Sequence, residues 1–221
     1  MAPKFHEPYS PAILETTVSK RFVKIVNTVA DDVLSDEDKS KKWDWSHKLV
    51  GKVSKEIQIP VTDADDRNYL FQTMKQGCLD YLNYNIDKKR AQSYNKIVGE
   101  GKKPTIENIH LTQSWVVSQY AGDFNPIHHH NGDFSAAIYL KVPEGMTEEW
   151  DEDFKDHYPA KGLIEFTFGE SQSFRNDGMK FKPEVGKFLV FPSWLRHFVY
   201  PFSVEGERRM MSFNATIINR G

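Results

Sequence analysis

The chain holds a single cysteine, Cys78, so no disulfide can close within it, which is compatible with a reducing compartment. No apolar run approaches the roughly 18 residues of a membrane span. The opening residues, MAPKFHEPYS, have neither the apolar stretch nor the small-residue cleavage site of a secretory signal. A cytoplasmic location without membrane attachment is therefore expected. Charge is nearly balanced, 29 basic against 31 acidic residues for a net −2, which removes any overall electrostatic reason to bind nucleic acid. A local basic groove would not show in that sum. There is no internal repeat or low-complexity segment, and proline and glycine are scattered instead of gathered into a linker, so one continuous domain is expected.

What is present is the composition of a soluble globular protein, 39% hydrophobic and 27% charged. The first half carries helical periods. In SKRFVKIVNTVADDVLSDED, Phe22, Ile25, Val26, Val29 and Val33 recur near every third or fourth position. From about Asp65 to about Ile86, Leu70, Met74, Cys78, Tyr81 and Leu82 share one face, with acidic residues at the start where they suit the helix dipole. The lysine-rich DKKRAQSYNKIVGEGKKP that follows reads as a solvated helix end and loop. The second half changes to short β-rich runs separated by turns: HLTQSWVVSQY, FSAAIYLKV, GLIEFTFG, GKFLVFPS, HFVYPF and RRMMSFNATII. Strands so spaced predict a sandwich or barrel whose one sheet is covered by the helices and whose mouth stays open for a ligand.

Three of the eight histidines stand together in NPIHHHNGDF. On extended backbone His128 and His130 point to the same side with Cα atoms about 7 Å apart, and His129 points away. Two imidazoles at that spacing can share one ion, each reaching about 2 Å to it. The plain alternative is a solvated polar turn. A third histidine, His197, opens an apolar run behind the Pro-Ser-Trp turn of VFPSWLRHFVYPF. A near pair and a distant third on separate strands suit a mononuclear non-haem iron face, with the remaining positions open for substrate and O₂. A closed structural zinc site, which draws on cysteines and four ligands, fits less well.

The segments YAGDFNPIHHHNGDFSAAIYLKVP and GKFLVFPSWLRHFVYPFSVEGERRMMSFN resemble the core motifs of the Fe(II)/2-oxoglutarate-dependent oxygenases, in particular small members from phage and bacteria, over roughly Trp115 to Asn214. More distantly they are similar to the prolyl 4-hydroxylases. The resemblance implies a mostly β fold with flanking α, a double-stranded β-helix of jelly-roll or cupin-like form with N-terminal helices on one sheet. It also implies a chemistry in which Fe(II), 2-oxoglutarate as cosubstrate and O₂ hydroxylate a C–H bond, with ascorbate in support. Within a single domain over 1–221, residues 1–108 then supply helical support and first strands, and 109–221 the metal-binding β core. The partners implied are 2-oxoglutarate and a primary substrate, a prolyl residue of a peptide or protein being the first candidate. The alternative is a cupin-like module that binds a metal or small ligand without turnover.

The implied metal ligands are His128, His130 and His197. Most of the superfamily has H-x-Asp/Glu, so either His130 is a neutral third ligand or a carboxylate such as Asp133 replaces it; the two-residue spacing favours His130. Resemblance to the prolyl 4-hydroxylases implies cosubstrate contacts from Tyr120 and Tyr139. Tyr139 also has a core reading, although Ser135 and Ala137 on its face leave room for a ligand. The far carboxylate of 2-oxoglutarate needs a buried cation, best an arginine fork. In RRMMSFNATI, Arg208 shares a face with Met210, Ser212 and Asn214, and Arg209 with the more apolar Met211, Phe213 and Ala215. Arg208 is therefore the expected cosubstrate partner and Arg209 the residue under the helices. Trp115 and Trp194 read as packing residues, Glu165 as a surface charge, and the acidic and aromatic EEWDEDFKDHY as a lip over the site or a solvated loop.

Overall fold

The computed structural model describes residues 11–46, 51–90, 102–146, 160–173 and 176–219. The acidic insertion at 148–158 lies outside them, as do the first ten residues and most of the lysine-rich stretch after the second long helix. In chain order the elements are β1 (Leu14–Thr17), α1 (Lys20–Leu34), α2 (Glu37–Lys42), β2 (Lys55–Ile57), α3 (Ala64–Asp87), β3 (Ile109–Gln119), β4 (Asn125–His128), β5 (Phe134–Lys141), β6 (Ile164–Thr167), β7 (Gly178–Phe181), β8 (Lys187–Pro192), β9 (Arg196–Val199) and β10 (Arg208–Ile217).

Both long helices begin on a side-chain cap. Ser19 accepts from the Phe22 amide at 3.2 Å and Asp63 from the Asp66 amide at 2.8 Å, with Asp65 and Asp66 adding negative charge to the first turn of α3. The predicted apolar faces are buried: Phe22, Val26 and Val33 on α1, and Leu70, Met74, Cys78, Tyr81 and Leu82 on α3. Gly77 lets α3 lie close on the sheet, since a Cβ there would stand 2.5 Å from ring carbons of Phe188.

The strands form two antiparallel sheets, a large one in the order β1-β8-β5-β10-β3-β2 and a small one in the order β4-β9-β6-β7. This is the expected double-stranded β-helix with helices on the outer face of the larger sheet. Because side chains alternate across a strand, each central strand divides its residues between two apolar layers. Ala136, Ile138, Phe188, Val190, Met211 and Phe213 pack outward under the helices. Ala137, Tyr139, Leu189, Phe191 and Met210 pack inward against Ile164, Phe166 and Val199 of the small sheet. Each fully buried Phe contributes on the order of 2 kcal/mol by removal from water. Of the shorter elements, α2, β1, β2 and β7 had no sequence signal of their own; β1 and β2 take their place as the two edges of the large sheet.

Candidate metal centre and its pocket

The loop that carries the histidines is anchored at both ends. β4 pairs antiparallel with β9 in a register that sets His128 directly opposite His197, their ring centroids 4.3 Å apart. His130, just past β4, donates its backbone N–H to the Ser193 carbonyl at 2.9 Å, which ties the histidine loop to the Pro-Ser-Trp turn. The Ser193 hydroxyl donates in turn to the Gly132 carbonyl. Gly132 is at φ +100°, and a Cβ on it would lie 2.8 Å from the Ala215 carbonyl oxygen, so the turn can pass this close to β10 only as glycine.

One ring nitrogen from each of His128, His130 and His197 lies within 4.8 Å of the others, and among the described residues no carboxylate joins the cluster. His128 Nδ1 is 2.7 Å from the Pro126 carbonyl and His197 Nδ1 is 3.0 Å from the Leu195 carbonyl. A carbonyl only accepts, so these rings carry their proton on Nδ1 and present the Nε2 lone pair. Burial holds all three imidazoles below their ordinary range, with help from the charge of neighbouring histidines, His129 among them; His130 is brought down to about 4. Three neutral nitrogens that cannot all be protonated together are a donor set for a divalent cation. His129 is exposed and outside the cluster. Asp133 is used elsewhere: its Oδ2 accepts from the Thr216 hydroxyl at 2.7 Å and the Ile217 amide at 2.8 Å, fastening the loop to β10.

The two adjacent arginines of β10 separate as the alternation predicted. Arg209 turns to the helices, where it meets Glu207 at 2.6 Å and Asp31 at 2.8 Å. Arg208 is fully buried inside the barrel, donating to the Gly162 carbonyl and to Gln119 Oε1, with its guanidinium 5.3 Å from the Phe202 ring. Among the described residues no carboxylate pairs with it and its Nε has no hydrogen-bond partner. Burial pulls it down to about 10, so it stays charged at neutral pH. The Tyr139 hydroxyl, inside the same barrel, is likewise buried and without a partner, and burial raises it to about 12, keeping it a neutral donor. A buried cation without a counter-ion beside an unsatisfied hydroxyl is an environment for an anion.

Tyr120 departs from expectation. It is 42% exposed, and the charges nearest it are Glu207, Arg209 and Lys141, on the helix side. The even-numbered residues of β3, Val116 in the outer core and Ser118 bonded to Glu207, face that way; Tyr120 follows the strand's last residue, its backbone N–H donating to Asp123 Oδ2 at 3.0 Å. The inward residue at this level is Gln119, which the sequence reading passed over. Its Nε2 donates to Asn125 Oδ1 at 2.9 Å and its Oε1 accepts from Arg208, a bridge between the buried cation and the metal loop. Period-two alternation along β3 with Trp115 and Val117 was the signal that could have found it.

A cavity of about 320 Å³ opens over the histidines, its wall including Glu56, Trp45, Trp115 and Asn214. Arg208 and Tyr139 lie beyond that lining. Trp115 is buried, as a packing residue would be, and also borders the cavity, whereas Trp194 is exposed with its ring against Phe168. Glu165, as expected, is occupied on the small sheet, accepting from the Tyr200 hydroxyl at 2.7 Å and lying 3.6 Å from Lys180. No helix among the described residues is long and apolar enough to cross a membrane.

Residues 113–214 match the family model described as "Putative 2OG-Fe(II) oxygenase". No curated protein matches the chain by sequence. Among solved structures, a prolyl-4-hydroxylase of Pseudomonas putida is 14% identical with a TM-score of 0.52, the alignment covering 96% of this chain and 95% of that one. The non-heme alpha ketoglutarate dependent epimerase SnoN of nogalamycin biosynthesis is 12% identical with a TM-score of 0.57, covering 92% and 75%. HygX of Streptomyces hygroscopicus, solved with nickel and 2-oxoglutarate bound, is 10% identical with a TM-score of 0.50, covering 94% and 83%. At these identities the likeness is one of fold.

Proposed function

We propose that this protein, whose residues 113–214 match the 2OG-Fe(II) oxygenase family model, is an Fe(II)- and 2-oxoglutarate-dependent hydroxylase in which His128, His130 and His197 hold the metal. The observation that carries the reading is the pairing, inside one barrel, of three converging neutral imidazoles with a fully buried arginine that makes no ion pair among the described residues and whose Nε has no hydrogen-bond partner. When bound, Fe(II) and 2-oxoglutarate supply O₂ activation for C–H oxidation, the cosubstrate leaving as succinate and carbon dioxide.

The chain's own contribution is positioning. The carbonyls of Pro126 and Leu195 orient two of the imidazoles through their Nδ1 protons, leaving Nε2 to bind. Arg208 and the Tyr139 hydroxyl are the groups for the far carboxylate of the cosubstrate, and Gln119 fixes the guanidinium by accepting one of its N–H groups. Tyr120, 42% exposed just past the end of β3, is given no role in this assignment.

For the primary substrate, a prolyl residue of a peptide or protein is the first candidate, supported by the prolyl hydroxylases among the structural relatives; the epimerase among them is a reminder that this fold serves several chemistries. One observation favours a second reading. The described cluster is all-histidine, one charge more positive than a site with a carboxylate, as a metal-holding module without turnover could also be. Incubation in air with Fe(II), 2-oxoglutarate and ascorbate separates them. An oxygenase forms succinate slowly even without substrate, and its complete absence from iron-loaded protein would reject the enzyme in favour of the binding module. A gain of one oxygen in proline-containing peptides, read by mass spectrometry, tests the substrate.

A further inference from the structure

The described cavity wall carries one carboxyl group, and neither the metal nor the cosubstrate reading uses it. Glu56 stands in the middle of β2 opposite Val117, so it shares the inward face with Val117 while its neighbour Ile57 joins the core under the helices. It is 5% exposed and borders the cavity. The Trp115 side chain hydrogen-bonds to its carboxyl group, and Trp45, also on the cavity wall, donates its backbone N–H to the Glu56 carbonyl at 2.9 Å. The carboxyl group is thus set beside the Trp115 side chain, with Trp45 on the same cavity wall. Among the described lining residues there is no Lys or Arg, and Glu56 is the one acid.

That lining selects by charge. Away from the histidines and the metal proposed for them, an anionic group at the Glu56 end would meet a buried acid and no Lys or Arg, which is costly on both sides. A cationic nitrogen would meet a carboxylate for its charge and indole faces for the carbon atoms beside it, the pairing in which cation–π attraction is strongest because the site is dry. Burial raises the Glu56 carboxyl up to about 8, with the charge of Asp44 adding to the effect, so the empty cavity holds an uncharged acid. Arrival of an ammonium would return it to the carboxylate and release its proton.

We infer that the primary substrate carries a protonated amine or similar cationic nitrogen, received by Glu56 on the wall that carries Trp45 and Trp115. The inference rests on the oxygenase reading only in calling the ligand a substrate; the cation site stands on the cavity itself. It also narrows the proline candidate. A prolyl nitrogen inside a peptide bears no charge, so only free proline, an N-terminal proline, or a substrate with a separate amine nearby meets the requirement.

The test is calorimetric titration of iron-loaded protein with 2-oxoglutarate, without oxygen, using matched pairs that differ in charge: L-prolinamide with N-acetyl-L-prolinamide, n-pentylamine with 1-pentanol, and cadaverine with 1,5-pentanediol. At least one amine should bind tenfold or more tightly than its neutral partner. Glu56→Gln is isosteric and can still accept a hydrogen bond from Trp115, so it tests charge and not shape; it should raise the Kd of that amine at least tenfold. Neutral partners binding as tightly, an unchanged Kd in Glu56→Gln, or no binding by any of the three amines would each overturn the inference. Succinate formation by the wild-type protein without substrate, measured separately, reports on the oxygenase reading, so the two can fail independently.

Discussion

The buried carboxyl group of Glu56 makes the stability of the protein depend on pH in a direction opposite to that of an ion-paired acid. Its pKa goes from the ordinary 4.5 in the unfolded chain to about 8 in the folded one. Between those values the folded protein keeps a proton that the unfolded chain has already released. The stability is therefore fully present below pH 4.5 and is lost progressively as pH rises towards 8. At about 1.36 kcal/mol per unit, the whole window corresponds to on the order of 5 kcal/mol, and the interval from pH 5.5 to 7.5 to roughly half of that. Glu56→Gln keeps the shape and removes the titration. Urea denaturation of the metal-free proteins at those two pH values should show the variant gaining on the order of 2 kcal/mol on the wild type as pH rises. The histidines titrate in both proteins and drop out of the difference. A gap that changes by less than about 0.5 kcal/mol would mean that Glu56 ionises like a solvated acid, and the dry cavity wall inferred from its burial would be wrong.

Other outcomes follow from the site itself. His128→Ala, His130→Ala and His197→Ala should each lose Fe(II) in a metal-content assay, because two imidazoles hold the ion poorly, while His129→Ala should retain it; loss from His129→Ala equal to the rest would refute the cluster. Asp133→Ala should keep iron but lower the denaturation midpoint, since two hydrogen bonds to β10 disappear, about 1–3 kcal/mol by the usual range; iron lost there and kept in His130→Ala would exchange their roles. Arg208→Ala should weaken 2-oxoglutarate by more than about 2 kcal/mol, roughly 30-fold, with iron content intact. Arg209→Ala should bind 2-oxoglutarate normally yet unfold about 1–3 kcal/mol more easily, because Glu207 and Asp31 lose a buried cation while Glu207 keeps Ser118 and Lys141. A larger cosubstrate loss in Arg209→Ala than in Arg208→Ala would reverse that assignment.

The parts of the site that sequence reading reached are those in which local spacing determines geometry. H-x-H on extended backbone puts two rings on one side whatever the rest of the chain does, and adjacent arginines on a strand must point to opposite faces; the only further step was to ask which face is the more apolar, and Met211, Phe213 and Ala215 answered it. The helices were readable for the same reason, since the faces of α1 and α3 are written at intervals of three and four. The double-stranded β-helix itself came from the family resemblance, with strand spacing alone leaving sandwich and barrel open.

What could not be read were residues whose direction depends on a partner far along the chain. Tyr120 sits close before the metal loop in sequence, but closeness along the chain does not choose a side of the sheet; the parity of β3 does, and it sends Gln119 in, while Tyr120 follows the strand's last residue. Asp133 looked free to bind an ion until Thr216 and Ile217, on the last strand, claimed its oxygens. Glu56 is the extreme case. Three residues of strand are too few for any period to emerge, and a lone glutamate among lysines looks like a surface charge. Its inward direction exists only because β2 pairs with β3 in the register that puts Glu56 across from Val117. The His128–His130 pair, set by short-range spacing, is thus the part of the proposed metal face that a motif can carry from one protein to another, whereas His197 needs the β4–β9 pairing to stand opposite His128. Glu56, proposed to receive the substrate, is likewise set by long-range register, where a change of one residue would turn the carboxyl group out of the cavity and leave the three histidines as they were.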